Sequence, residues 1–470
     1  MKSLEILTII SGLAICLHFL LKISSVSIKN IDKKVEASMI GLWNRYWFAP
    51  TSLRRLAIFR ILIFGFLTYY SFTWIGGYVE GLKHASPEFF KPLLLIKVLH
   101  LSPPTPFIVD IVHFLLILFA VGGMIGFMTR FCVLGSLIFF VYIIGMWWSF
   151  EGVHHSEPVF IFALTALALS PCGRVVSVDE VLSRMRVSKR SGEFQRNRAG
   201  RLESEYALWP IRLVQVLIAA IYFNSGYWKL KLAGLSWAGG VPLQFHLIRH
   251  YFSGQYISNI GFIISKSLML CKILSVFTLV FELGFPLVLV FPRLAWIWLP
   301  VGVCFHLGTG FMMDTWFYPL WFCYVAFINF ETVGQWLRDR FGVTYNSREV
   351  KVLFDGACPL CIRSMTLIAC LDWLRRIEFL DLNNWDELSK SYPKLNREDC
   401  LREMYVIDQK SQIYKGFYAY RRLAKVIPVF WITIPFLYIP GISLIGNSIY
   451  RFIANRRARN AVACTIHNCR

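Results

Sequence analysis

Two cysteines three positions apart, Cys358 and Cys361, are the residues of this chain best placed to do chemistry. They lie in Asp355-Gly356-Ala357-Cys358-Pro359-Leu360-Cys361, directly after an apolar β-like run and at the opening of a helical pattern. Thiols at that spacing close a disulfide with little backbone movement. At a helix start the first thiol meets backbone N–H groups that have no partner within the helix, and the positive end of the helix dipole. Both favour the thiolate, which is the nucleophile, so Cys358 is expected to attack and Cys361 to resolve. Gly356 lets the chain turn tightly ahead of the pair. Two other readings stay open: half of a zinc site completed by Cys464 and Cys469, or two unreactive thiols. The strand–Cys-x-x-Cys–helix context favours redox chemistry, and no metal is expected.

A second set consists of polar residues inside apolar stretches, which are functional candidates at membrane depth. Tyr222-Phe223-Asn224-Ser225-Gly226-Tyr227-Trp228-Lys229-Leu230 ends a very apolar run with a lysine, and Trp237 follows. His154 and His155 precede another run, Arg60 lies within an early one, and Glu282 and His306 lie within late ones. Lys229 either snorkels to headgroups or, in a lipid-walled pocket, sheds its charge and acts as a base. The two histidines are either a solvated loop edge or part of a site. Glu282 needs a partner, and a structural lock with Arg60, Arg212 or His306 is the favoured reading.

These residues must be held by a membrane scaffold. Of 470 residues, 56% are hydrophobic, 16% aromatic and only 16% charged. Soluble domains average about 45–50% apolar and about 25% charged, so the excess points to lipid and excludes disorder. The formal charge of +21 sits mostly in linkers, where it sets topology, and nucleic-acid binding is not expected. About nine spans of about 20 residues are predicted. The first is Met1–Leu21, read as an anchor and not a cleaved signal; the others fall near 56–78, 107–128, 131–149, 157–172, 208–228, 268–292, 294–312 and 315–332. The basic linkers 22–55 and 173–207 are placed inside, which puts the C-terminal part in the cytoplasm of a multi-pass cell-membrane protein.

After Trp336 the pattern becomes that of a soluble α/β module. Strands are predicted at Val350–Phe354 and Ile377–Leu382, a hairpin at Met404–Ile407 and Gln412–Tyr414, and a helix at Tyr418–Val426. Residues 427–446 are apolar but hold Pro428, Pro435 and Pro440, which argues against a span and for packing on the module or the membrane face. The predicted organisation is thus a polytopic α-helical membrane domain at 51–335, preceded by an anchor helix and basic linker at 1–50 and followed by a module at 349–470.

With Gly416-Phe417-Tyr418-Ala419-Tyr420 and Tyr450-Arg451-Phe452-Ile453-Ala454-Asn455-Arg456-Arg457, the motif around Cys358 resembles the DCC family of thiol–disulfide oxidoreductases. That resemblance implies a thioredoxin-like α/β domain with Asp355, Cys358 and Cys361 as its motif residues. Leu401-Arg402-Glu403 stands where thioredoxin-like proteins usually place a proline before the third strand.

Leu56–Ile61, the His155 segment, Leu169–Asp179, Tyr222–Leu230 with Trp237, and Phe281-Glu282 with Phe305–Gly308 resemble the HTTM family, which contains the membrane part of vitamin K-dependent γ-glutamyl carboxylase. The resemblance puts the carboxylase base, which acts with a reduced quinone, on Lys229, and the pattern's histidine on His155. Tyr222, Trp237, His306 and Glu282 are then expected to line a site for a vitamin K-like membrane quinol. Trp228, not lysine, precedes Lys229, and the chain has no large β-rich lumenal domain to present glutamates. Its expected partners are the lipid bilayer, a membrane quinone and a thiol or disulfide protein or peptide. The competing reading is a non-catalytic binding or assembly protein, a peptide-maturation or immunity partner, with a redox-sensing dithiol.

Overall fold

The computed structural model describes residues 39–153, 156–195, 203–254, 257–341 and 349–467. The chain divides into two compact units, Met1–Ala49 and Pro50–Arg470. In the first, Met39–Phe48 forms a helix.

Among the described residues of the second unit, six helices are long and apolar enough to cross a membrane: Leu53–His84, Pro106–Ile125, Thr129–Glu151, Glu205–Ser236, Leu268–Val290 and Pro292–Met313. The first contains α1 (Leu53–Tyr70), started by Ser52, whose Oγ accepts the Arg54 N–H at 3.2 Å. It then passes through a π-helical turn at Ser71–Ile75. The expectation of nine spans is reduced among the described residues. The predicted 157–172 span is a helix of 13 residues, α4 (Glu157–Leu169), and the 315–332 span is a helical turn, Tyr318–Phe322, followed by a 3-10 turn, Cys323–Phe327. Neither reaches the length a bilayer needs. Met1–Leu21 lies outside the described residues.

The motif Leu169–Asp179 ties the helices together at one end. Arg60 is fully buried and donates to the carbonyls of Cys172 at 3.0 Å and Val176 at 2.6 Å. Asp179 begins α5 (Val178–Ser191) yet caps α3 (Thr129–Glu151): its carboxylate accepts the N–H groups of Met128 at 2.9 Å and Thr129 at 2.7 Å. Arg60 is therefore spent on loop carbonyls. Arg212, on α6 (Trp209–Ala233), donates to Gln215 at 2.9 Å. Neither is the partner of Glu282.

The C-terminal part folds as a four-stranded mixed sheet with flanking helices. Its strands β3 (Val350–Phe354), β4 (Ile377–Asp381), β5 (Tyr405–Asp408) and β6 (Ile413–Lys415) stand in the order β4-β3-β5-β6. β3 and β4 are parallel and joined through α9 (Pro359–Leu371); the other two pairs are antiparallel. Val350, Val352 and Phe354 on β3 pack with Met365, Ile368 and Val406 in one core.

This dithiol domain is seated on one end of the helical part. α5 lies along α9, with Thr366 Oγ1 donating to Ser188 Oγ at 3.3 Å. Phe194 packs its ring 5.0 Å from both Phe354 and Phe379. Arg54, at the start of α1, donates to the Trp373 carbonyl at 3.1 Å. The start of α6 is at the same end, because β2 (Glu203–Ser204) pairs with β1 (Thr51–Ser52) just before α1.

The turn between α9 and β4 hangs on one carboxylate. Buried Asp372 accepts the N–H of Arg376 at 2.9 Å and of Ile377 at 3.0 Å. Asp372→Ala abandons both donors, at about 1–3 kcal/mol each, and is expected to lower the unfolding midpoint of the full chain clearly, while Asp372→Asn loses less. An unchanged midpoint in the alanine variant would refute this role.

Candidate active site

Cys358 is the N-cap of α9, with extended backbone, and Pro359 occupies the first helical turn, where its missing N–H costs nothing. The loop that delivers it is fixed by two carboxylates. Asp355 accepts the Ala357 N–H at 2.9 Å, and Asp381, at the end of β4, accepts the Gly356 N–H at 3.1 Å. A Cβ at Gly356 would strike the Asp381 carboxylate, so glycine is needed for that close approach. The tight turn expected from the sequence is in this sense a contact with β4.

The Cys358 thiol is held at about 6, well below the ordinary thiol range. Hydrogen bonding from the Cys361 side chain is the largest cause, opposed by burial; the N–H groups of Cys361 and Leu360 add to the lowering, and the Asp355 charge works against it. Both cysteines are buried, Cys358 at 3% exposure, beneath exposed Ala357, Pro359 and Leu360. Cys370 and Cys400 show the opposite: burial without such donors pushes both thiols up to about 11. Among the described residues no group of His, Cys, Asp and Glu is arranged to hold a metal. Cys469 lies outside the described residues.

The membrane candidates converge at the far end of α6. Lys229 Nζ lies 2.6 and 2.7 Å from the two oxygens of Glu282 and 2.8 Å from Ser225 Oγ, which itself donates to Glu282 at 3.1 Å. The Glu282 side chain is 4% exposed and that of Lys229 21%. Glu282 belongs to α7 (Leu268–Gly284), and Gly226 allows the crossing: a Cβ there would come within 2.9 Å of the Leu283 side chain. Trp237 lies 5.5 Å from Lys229 Nζ, within cation–π range.

One helical turn pair deeper, Tyr222 is hydrogen-bonded to His306 Nε2 at 2.5 Å and to the hydroxyl of Tyr324, among the rings of Phe281 and Phe285. His306 is on α8 (Ala295–Met313). Its Nδ1 and the Trp237 indole N–H are buried without a hydrogen-bond partner among the described residues.

The expected lock on Glu282 is thus made by Lys229, with His306 paired instead to Tyr222. His154 and His155 lie outside the described residues. Tyr324 is the member that sequence reading missed; a tyrosine in an apolar run needs a partner for its hydroxyl, and that was the available signal.

The two candidate sites are at opposite ends of α6. Trp209 starts the helix at the dithiol end, and at 1.5 Å per residue Lys229 lies about 30 Å further along.

Two family models match the chain, one for each of these parts. The HTTM domain model matches residues 48–334. The chain belongs to the HTTM family. The DCC1-like thiol-disulfide oxidoreductase model matches residues 352–461, the part that follows the HTTM region. A chloroplastic protein of Arabidopsis thaliana, described as uncharacterized, is 26% identical over 85 residues, which are 18% of this chain and 40% of that protein. The chain thus spans about two fifths of that relative's length. No solved structure matches the chain.

In this HTTM protein, as Arg60 and Asp179 show, the motif Leu169–Asp179 acts structurally, holding the helix ends beneath the dithiol domain. Tyr222, Ser225 and Lys229 share one helix with Trp237 just beyond it, so that motif builds the polar site.

Proposed function

We propose that this protein is a membrane thiol–disulfide oxidoreductase that exchanges two electrons between Cys358/Cys361 and the disulfide of a protein or peptide. The observation that carries this reading is the Cys358 thiol at the start of α9, held at about 6. The Cys358 thiolate attacks one sulfur of the substrate disulfide and expels the other as a thiolate. Cys361, losing its proton, then attacks Cys358, closes the intramolecular disulfide and releases the second substrate thiolate. The substrate gains two electrons and the dithiol loses them; the same steps in reverse oxidise a dithiol substrate. The strand order, with parallel β3 and β4 bridged by α9, supports a thioredoxin-like fold for the domain. Its packing against α5, which carries Arg184, Arg186, Lys189 and Arg190 of the basic stretch, supports a cytoplasmic location in a cell-membrane protein.

A second reading, for the membrane half, is favoured by the Lys229–Glu282–Ser225 cluster. The orphaned His306 Nδ1, beside the rings of Phe305 and Phe317, and the orphaned Trp237 N–H, beside Lys229, are polar atoms of the kind that the oxygens of a vitamin K-like quinol would pair with. Such a group, when bound, supplies reducing equivalents. Lys229 would take a proton in its neutral form, Glu282 would hold the amine in place, and Tyr222 and His306 would orient the ligand. The 30 Å scale of separation along α6 means that the dithiol reaches this site only through a diffusing carrier.

The test is a redox titration of the purified full chain in glutathione buffers, with the Cys358–Cys361 disulfide quantified by peptide mass and the lipid extract assayed for quinone. A reversible two-electron transition at this pair is expected. Thiols that stay reduced from reducing to oxidising conditions would overturn the oxidoreductase reading, and an extract without quinone would count against the membrane one.

A further inference from the structure

The dithiol domain ends in a bent apolar segment. Pro428–Leu437 and Ile442–Asn455 are two apolar helical pieces bent by 119° across the connecting residues. Pro440 and Gly441, the latter at φ 87°, break the helix between them. Side chains on both arms turn outward: Ile432 is 79% and Leu444 75% exposed, with Phe436 and Ile445 also exposed. Contiguous exposed apolar surface of this kind marks an interaction site.

The border of the patch indicates what covers it. Arg421 and Lys425, on α10 (Phe417–Val426), stack on the Tyr438 ring at 3.7 and 4.7 Å. Trp431 donates its indole N–H to the Lys425 carbonyl at 3.0 Å. Arg451 is exposed on the second arm. Exposed apolar side chains along both arms, with aromatic rings and cations gathered at the bend, are the composition that a bilayer interface selects, with anionic headgroups complementing the cations. A second copy of this face would bring the same positive charges against one another. The apolar part of each arm is too short to span a bilayer, and the helix of the second arm continues beyond its apolar part to His467. The domain that carries the segment is already fixed at the ends of the membrane helices through Arg54 and α5.

We propose that residues 428–455 form a bent amphipathic segment that lies in the membrane interface beside the dithiol domain, lays Ile432, Phe436, Leu444 and Ile445 into the leaflet and binds an anionic phospholipid surface. It gives the domain a second membrane attachment and keeps Cys358 close to membrane-borne substrates. This inference stands independently of the redox reading.

The test places the photo-crosslinker benzoylphenylalanine at Phe436, and separately at Leu444, in the full chain, reconstituted in nanodiscs of equal phosphatidylcholine and phosphatidylglycerol. Phe114, exposed on the second span, is the lipid-facing control, and Leu401, exposed on the dithiol domain, is the water-facing one. Phospholipid adducts at Phe436 and Leu444 comparable with those at Phe114, and far above those at Leu401, are expected. Adducts to the chain's own residues 1–38 or to a second copy, or a yield no higher than at Leu401, would overturn the proposal. Two positions on different arms guard against a label that disturbs one of them, and monodisperse elution reports that the variants are folded.

Discussion

Cys358→Ser is expected to abolish mixed-disulfide formation with glutathione disulfide, whereas Cys361→Ser is expected to trap it. With the Cys358 thiol at about 6, the thiolate outnumbers the thiol by about ten to one at pH 7. Serine at 358 removes the nucleophile, and activity should fall to background. Serine at 361 keeps a hydroxyl donor beside the Cys358 sulfur but cannot resolve the adduct, which should accumulate to near stoichiometry with the protein. Mass spectrometry of the intact chain distinguishes the two. Trapping in Cys358→Ser instead would exchange the roles of attacker and resolver. If neither variant differs from the unmodified chain, the pair is not redox-active, and bound zinc is the quantity to measure next.

The second large effect is expected at Lys229. Lys229→Met deletes the amine and leaves Glu282 buried without its counter-charge, a loss of about 3–5 kcal/mol if the carboxylate stays ionised. Folding would suffer, and activity alone could not be interpreted. The double change Lys229→Met with Glu282→Gln removes both charges and should restore folding without restoring quinol consumption. Lys229→Arg separates the two roles of the lysine. Arginine keeps an ion pair with Glu282 and the structure it supports, but guanidinium stays protonated at any working pH. Base chemistry predicts a folded, inactive arginine variant. Full activity in that variant would sink the base and leave Lys229 as half of a structural lock.

Much of this was legible in the sequence, and the rest was hidden for identifiable reasons. Strand–Cys-x-x-Cys–helix is a local pattern, so the positions of β3, α9 and the β5–β6 hairpin followed from short-range residue types. The six long spans were legible because lipid demands length and apolarity together. Hydropathy over-counted where apolar runs are interrupted: Ser170 ends α4 after 13 residues, and residues 323–327 tighten into a 3-10 turn. The partner of Glu282 was not legible. Sequence says that a buried carboxylate needs a cation, but which one depends on how α6 and α7 cross, and Gly226 allows the crossing that selects Lys229 over Arg60 and Arg212. Nor did residue spacing show that the dithiol domain and Lys229 lie by opposite ends of α6. That followed only once β1 and β2 had placed the starts of α1 and α6 together.

The central claim, that Cys358 is the activated nucleophile of this chain, is tested most directly by its rate of alkylation as a function of pH. The full chain is reduced, treated briefly with iodoacetamide between pH 4 and pH 10 (a range of about two to four units around the expected midpoint), and each cysteine peptide is quantified by mass. A lowered thiol pKa means that reactivity is present above the midpoint and is lost as pH falls through it. Cys358 should therefore titrate with a midpoint at about 6 and be fully reactive at neutral pH. Cys370, pushed up to about 11 by burial, should remain almost unlabelled there. A Cys358 midpoint in the ordinary thiol range, or labelling no faster than that of Cys370, would contradict the account.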